Sequence, residues 1–428
     1  MPNRKIGHFL SKHLQYVTYC FVIFTEISFM RVLILLFFLT CFLFGFSQSE
    51  TIAESYFKKG EFEKALLTYQ SLYKRKKESK YFNKIVESLQ QLERYQESDS
   101  LLRHRLSETN YPPTYVDLGY NYQLQDSSSI ADSYYQKAIE RLNENPNYSY
   151  GIALKFEQYS LLDEALMVYK KGMELKPEYD FSRQMARIYG EQGNVEMLFS
   201  SYIDYVETKP SFLNNVKRAF SDFVSESGEN ENNQTLRKLL LKKLQANPEE
   251  YWYDLLSWLF VQQKDYNKAF VQEKALYRRS RESLDRIMDL ALTTNKAEDY
   301  DTAEDIFSFV LENSQDIETR LQAHQYLLDM QIERSNQSEY DDINKTYLSL
   351  FEKYGLYEPS LSLQISYGNF LAFYYNQPEK ASKFLKNSLE LSLSKFQEAT
   401  VKLKLADILV YQERFNEALI YYSQIQMN

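Results

Sequence analysis

The sequence predicts an all-α solenoid of about eleven stacked helical hairpins, and three observations carry that prediction. First, one phrase recurs: a charged residue, an aromatic, two polar residues and a small one. It reads Glu61-Phe62-Glu63-Lys64-Ala65, Arg94-Tyr95-Gln96-Glu97-Ser98, Asp265-Tyr266-Asn267-Lys268-Ala269, Asp299-Tyr300-Asp301-Thr302-Ala303 and Arg414-Phe415-Asn416-Glu417-Ala418. Second, the residue ending the phrase marks a near-constant interval. Its equivalents are Ala65, Ser98, Ala131, Ala165, Leu198, Leu236, Ala269, Ala303, Ile343, Ala381 and Ala418, spaced by 33, 33, 34, 33, 38, 33, 34, 40, 38 and 37 residues. A period of this length marks a unit that buries its apolar face only against its neighbours. Third, 11 Gly and 9 Pro are scattered through 428 residues, with no alternating β-branched run long enough to demand a sheet.

Each part of the unit has a physical reason. Twelve residues before the marker a second small residue recurs, giving the pairs Ala53/Ala65, Gly119/Ala131, Ala153/Ala165, Ser257/Ala269, Ala291/Ala303 and Ala406/Ala418. Small side chains facing each other let two antiparallel helices approach closely at their crossing. Four residues after the marker, one turn on and on the same face, a large apolar residue is usual: Tyr69, Leu102, Tyr135, Tyr169, Tyr202, Leu240, Phe307, Tyr347, Leu385 and Tyr422. Pro177, Pro210 and Pro248 each follow their marker by twelve residues, ending one helix where the next can start. Most of the 37 Tyr and 28 Phe are expected to fill the seams between helices.

These residues resemble the tetratricopeptide repeat (TPR) superfamily, most clearly in the units ending near Pro146, Pro177 and Pro210 and in those marked by Ala269, Ala303 and Ala418. The resemblance implies a right-handed α-solenoid of TPR-like hairpins. It divides the chain into repeats 1–5 over residues 48–210, an irregular repeat over 211–248 and repeats 7–11 over 249–428. The irregular unit carries the polar insertion Ser225-Glu226-Ser227-Gly228-Glu229-Asn230-Glu231-Asn232-Asn233, and the last three units are lengthened.

Residues 1–47 are of another kind. Val32 to Phe46 is an apolar run behind Met30-Arg31, short for a membrane-spanning helix, which needs ~20 residues, and suited to a signal peptide. Residues 30–47 are therefore expected to be a signal peptide cleaved after Ser47, with 1–29 an N-terminal extension and Met30 an alternative start. The other expectation is an uncleaved anchor over residues 16–46, which would give membrane association. Cys20 and Cys41 both fall in this segment, so the remaining chain carries no thiol or disulfide chemistry. Without residues 1–47 the chain has 46 basic and 58 acidic residues, a net charge of −12. Such a balance disfavours nucleic acid and anionic surfaces. The basic run Lys74-Arg75-Lys76-Lys77 suits a helix C-terminus.

Reactive chemistry is sparse. Beyond residue 47 the only histidines are His104 and His324, in different repeats, and no HExxH, CxxC, GxxxxGK[ST] or GxGxxG pattern occurs. The acid pairs Asp341-Asp342 and Glu249-Glu250 suit helix starts better than a metal site. No catalytic residue, metal, cofactor or small-molecule substrate is expected. The TPR resemblance implies instead that first helices line a concave face, placing Tyr120, Tyr150, Leu154, Arg183, Arg187, Tyr251, Asp254, Trp258, Phe370, Phe373 and Tyr374 toward a groove. Aromatics and arginines dominate binding energy at protein interfaces, so a protein or peptide is the expected partner. Lys80, Asn83 and Glu87 do not reproduce the family's carboxylate clamp. In the last helix Leu419, Tyr422 and Ile425 are expected to face water, as a truncated product or a docking face, including self-association, would require.

The functional expectation is thus a non-enzymatic interaction scaffold of the bacterial periplasm or envelope. Two alternatives stand beside it: a subunit of an outer-membrane assembly or secretion complex, and an accessory subunit that positions a substrate for a separate enzyme.

Overall fold

A computed structural model describes residues 50–280 and 283–426; the expected signal peptide, its cleavage site and the alternative anchor lie outside the described residues. Among the described residues there is no strand. The helices follow one another as hairpins: α1 (50–58) with α2 (Phe62–Lys76), α3 (Ser79–Gln91) with α4 (Tyr95–Thr109), α5 (Pro113–Gln123) with α6 (Ser128–Glu144), and α7 (Ser149–Gln158) with α8 (Leu162–Leu175). Next come α9 (Ser182–Glu191) with α10 (Val195–Thr208), α11 (Leu213–Phe220) with α12 (Glu231–Ala246), α13 (Glu250–Gln262) with α14 (Tyr266–Ser280), and α15 (Asp285–Lys296) with α16 (Tyr300–Asn313). The last three are α17 (Ile317–Arg334) with α18 (Tyr340–Tyr354), α19 (Leu361–Phe373) with α20 (Pro378–Ser388), and α21 (Lys395–Tyr411) with α22 (Phe415–Gln426). No helix among the described residues is long and apolar enough to cross a membrane.

The described residues fall into two compact units that divide inside α9, between Ile188 and Tyr189. Within the first, first helices touch first helices (α5 and α7) and second helices touch second helices (α6 and α8), as in a stack. The second unit repeats this with α11 on α13, α17 on α19 and α19 on α21, and with α10 on α12 and α14 on α16.

The crossing points behave as the small pairs require. Ala53, Ala65, Ala131, Ala153, Ala165, Ser257, Ala269, Ala291, Ala303, Ala406 and Ala418 are all buried, as is Gly119. At Gly119 the fit is tightest: a Cβ there would stand 2.3 Å from Cε1 of Tyr135, the aromatic one turn past the marker Ala131. Of the large residues at that position, Tyr202 and Tyr422 are half-buried and the other eight are buried.

A single turn closes nearly every hairpin. Five residues before the marker the backbone turns left-handed, at Gly60, Glu93, Asp126, Ser160, Gly193, Lys264, Glu298, Asn376 and Glu413. The next amide reaches back five residues to a carbonyl, as from Arg94 to Leu89 (2.9 Å) and from Asp265 to Phe260 (2.9 Å). Such a left-handed stop satisfies the last carbonyls of the first helix. Only two of these positions carry glycine, although an L side chain in this conformation costs roughly 1–2 kcal/mol. Lys264→Gly is therefore expected to raise stability by about 0.5–1 kcal/mol after the added freedom of the unfolded chain is subtracted. Urea denaturation would show this as a higher midpoint at unchanged slope.

Two departures from the pattern matter later. In the tenth hairpin the amide of Gln377 reaches six residues back, to Leu371 (2.7 Å), so its turn holds one extra residue. In the sixth, the polar insertion is a built structure. The buried Asn233 amide donates to the carbonyls of Ser225 (2.7 Å) and Ser227 (2.8 Å), and Asn230 caps α12.

Candidate partner-binding faces

On the first-helix face of the first unit, polar side chains bridge successive helices. Asp117 of α5 pairs with Lys155 of α7 (2.9 Å) and accepts the Tyr159 hydroxyl (2.7 Å). Burial, then the Asp117 charge, holds the Tyr159 hydroxyl well above the usual phenol range. Tyr120 stacks on Tyr159 with ring centroids 3.9 Å apart. Gln158 donates to Glu87 (2.7 Å), and Glu157 accepts both the Tyr169 hydroxyl (2.7 Å) and Arg187 of α9. Tyr120 and Arg187 are thus engaged in holding helices together. Tyr150, Leu154 and Arg183 are exposed on the same helices. Tyr150 and Leu154 lie one turn apart on α7, and each leaves nearly half of its surface to solvent.

The first-helix face of the second unit contains a departure from the marker rule. One turn past Ala269, where ten other units place an apolar residue, stands Glu273, only 5% exposed. Its carboxylate takes two bonds from the Arg286 guanidinium of α15, Nε at 2.9 Å and Nη2 at 2.7 Å. Arg286 also bonds Asp254 of α13, which in turn accepts Lys217 of α11 (2.9 Å). The chain Lys217–Asp254–Arg286–Glu273 spans the sixth to eighth hairpins. Cavities of about 420 and 250 Å³ share Asp254, Glu273 and Arg286 as lining; Tyr251 lines the first and Trp258 the second. Trp258 is half-buried, with Phe220 6.5 Å away between ring centroids.

The residues assigned to the tenth hairpin need one correction. Phe370 is 0% exposed, with Tyr347 (5.6 Å), Tyr340 (5.7 Å) and Tyr375 (5.4 Å) around its ring. Counting back from Ala381 misplaces it because the turn holds the extra residue described above. The small residue facing Ala381 is Gly368, thirteen positions back, and Asn369 takes the groove position instead. Phe373 is exposed, and half-buried Tyr374 donates its hydroxyl to Glu333 (2.9 Å). That bond and burial push the Tyr374 hydroxyl up to about 12.

A third cavity, of about 520 Å³, lies between the first helices α17, α19 and α21 and is lined by Asp329, Glu333, Asn369, Tyr374 and Lys404 among others. At the last hairpin Leu419 is 64% exposed, whereas Tyr422 and Ile425 are half-buried. The Tyr422 hydroxyl reaches back to Asp407 (2.7 Å), which ties that ring to α21 rather than leaving it in water. Phe415 and Ile420 on α22, and Phe396, Leu403 and Val410, spaced seven apart along α21, are exposed as well.

Neither histidine lies in a reactive arrangement. His104 is exposed beside Glu108. His324 is half-buried near Arg320 and Lys353, and burial with those two cations pushes it down to about 4. A neutral, cation-flanked imidazole has no carboxylate to orient it. No metal-holding group of His, Cys, Asp and Glu occurs among the described residues.

No protein-family model matches the chain, and no curated protein matches it. Solved structures do. The chain is similar to Naa15/Naa10 bound to HypK-THB at 12% identity, covering 89% of this chain and 63% of that one, with a TM-score of 0.29. It is also similar to yeast Tom70 (11% identity, 89% and 98% covered, TM-score 0.29) and to the TPR domain of P58(IPK) (15% identity, 80% and 91% covered, TM-score 0.22). The chain thus spans just under two thirds of the first of these. The all-α hairpin architecture rests on the helices of the chain itself.

Proposed function

We propose that the chain is a non-enzymatic scaffold that holds protein or peptide segments along its first-helix faces. The observation that supports this most directly is the contrast on those helices between engaged and unengaged side chains. Polar groups such as Asp117, Lys155, Glu157 and Arg187 are used up in fixing neighbouring helices. Tyr150 and Leu154 stand exposed beside them on the framework so formed. A preformed surface with exposed aromatic and aliphatic anchors binds at low ordering cost.

The sequence of residues 30–47 supports export, with Gln48 as the first residue of the mature chain, and so a periplasmic or envelope location. Terminal sequencing of the protein recovered from an envelope fraction checks this; an intact residue 1–47 segment in a membrane fraction would instead favour the anchor. The exposed apolar surface of α21 and α22 is the natural place for self-association or for a neighbouring subunit. Light scattering tests the former, since a stable monomer at high concentration contradicts it.

Co-purification from detergent-solubilised envelope tests the scaffold role. Leu154→Ala and Trp258→Ala are expected to weaken a stoichiometric partner at least ~10-fold, the loss of one well-packed anchor. Unchanged affinity with intact folding would contradict it. A membrane complex in the eluate supports the assembly-subunit alternative, and an enzyme supports the accessory one.

A further inference from the structure

We propose that the cavity between α17, α19 and α21 receives a basic side chain, arginine or lysine, from the bound protein segment. This rests on the first-helix reading above and gives it a partner chemistry. Two carboxylates line the cavity, Asp329 and Glu333, against a single lysine, Lys404. The lysine is spent on a neutral group, the Asn369 side-chain oxygen at 3.0 Å. The carboxylates are bonded only by neutral donors. Asp329 accepts the Ser366 hydroxyl (2.5 Å) and the Gln325 amide (3.2 Å), and Glu333 accepts the Tyr374 hydroxyl (2.9 Å). Neither is in an ion pair among the described residues, whereas Asp117, Glu157, Asp254 and Glu273 are.

A partly buried carboxylate without a counter-charge is costly, and the cost is met when a cation enters. Burial, with the Glu333 charge adding to it, holds the Asp329 carboxyl above its usual value, although the Ser366 and Gln325 bonds and the more distant Lys404 charge act against it. The cavity is large enough for a side chain rather than for a bare ion alone, and its donor set lacks the histidine, cysteine or third carboxylate that would hold a metal. Tyr326 and Tyr374 line the same space, which suits a guanidinium or ammonium with its stem against aromatic rings. Gln322, Thr400 and Asn369 offer amides and a hydroxyl to the backbone of an extended segment. Two carboxylates facing one occupied lysine therefore select against acidic segments as well as for basic ones.

The test is a phage library of random dodecapeptides panned against the whole chain and against Asp329→Asn and Glu333→Gln. The expected result is enrichment of arginine or lysine at one position, with peptide affinity falling ~10-fold or more in either variant, as for a lost charge-assisted pair. Asp329→Asn is also expected to raise the unfolding temperature at pH 7, because it removes a buried charge that no ion pair holds. Selected peptides without a basic residue, or equal affinity for the variants, would overturn this inference and leave the first-helix reading in place. Asp329→Asn that lowers the unfolding temperature and keeps the basic preference would make Asp329 a structural brace and overturn it too. If panning on the wild type retains no peptide at all, both readings fall.

Discussion

Arg286→Ala is expected to destabilise the second unit by about 3 kcal/mol, the low end of the cost of removing one partner from a buried pair. The reason is Glu273, which keeps its charge in a position built for an apolar ring while losing both guanidinium bonds. Asp254 would retain Lys217, so the loss falls chiefly on the α14–α15 seam. Arg286 is itself half exposed, and water entering its place softens the penalty. The double variant Glu273→Leu/Arg286→Ala separates charge from packing. It restores the residue type that the other repeats carry at that position and is expected to recover most of the lost stability, a coupling visible in a double-mutant cycle. Additive losses would show that the network is surface decoration. Full recovery would mean that Glu273 is retained for what its cavity binds.

Gly119→Val is expected to cost 3 kcal/mol or more, roughly the top of the range for overpacking. A Cβ at this position meets Cε1 and Cδ1 of Tyr135 at 2.3 and 2.5 Å, and the Ala131 carbonyl at 3.1 Å. The ring cannot swing away freely: Tyr135 is buried, edge-on to Phe156, and its hydroxyl donates to Gln123 (2.6 Å). Opening the α5–α6 crossing is the remaining escape, and that would pull apart the contacts of α5 with α7. Tyr135→Leu makes room and is expected to return part of the stability of Gly119→Val while costing some on its own. Chemical denaturation followed by far-UV circular dichroism reads both effects. In a repeat array the damaged hairpins are expected to unfold as a separate step, since each unit is stabilised mainly by its neighbours.

Most of the hairpin architecture was legible because it is periodic. Marker, small partner and following aromatic are each set by one helix crossing, and a crossing repeated along the chain repeats its residues. What escaped was set by exceptions to the period. One additional residue in the turn before Gln377 moved Phe370 into the core and put Asn369 in its place, a shift that only the reach of the Gln377 amide reveals. Glu273 was visible as a charge at an apolar register position, but its meaning depends on Arg286, thirteen residues on and in the next hairpin. The engagement of Tyr120 and Arg187 was not legible at all. Their partners Tyr159 and Glu157 lie 39 and 30 residues away, and only stacking of successive first helices brings them together. Tyr422 was expected to be solvent-facing, yet the Asp407 carboxylate holds its hydroxyl and half-buries the ring. The polar insertion was read as a departure from the repeat without a sign that Asn233 would order it.

The exposed surface at α21 and α22 and the first-helix grooves make different demands on a partner. The first needs a flat apolar partner surface, the second an extended segment, so one partner need not use both. Site-specific photo-cross-linking distinguishes them, and it also tests the central claim most directly. A photoreactive phenylalanine analogue placed at Tyr150 and at Phe373, on first helices, and at Leu67 and Met167, exposed on second helices, should capture partner only from the first pair. Capture confined to Leu67 and Met167 would contradict the account.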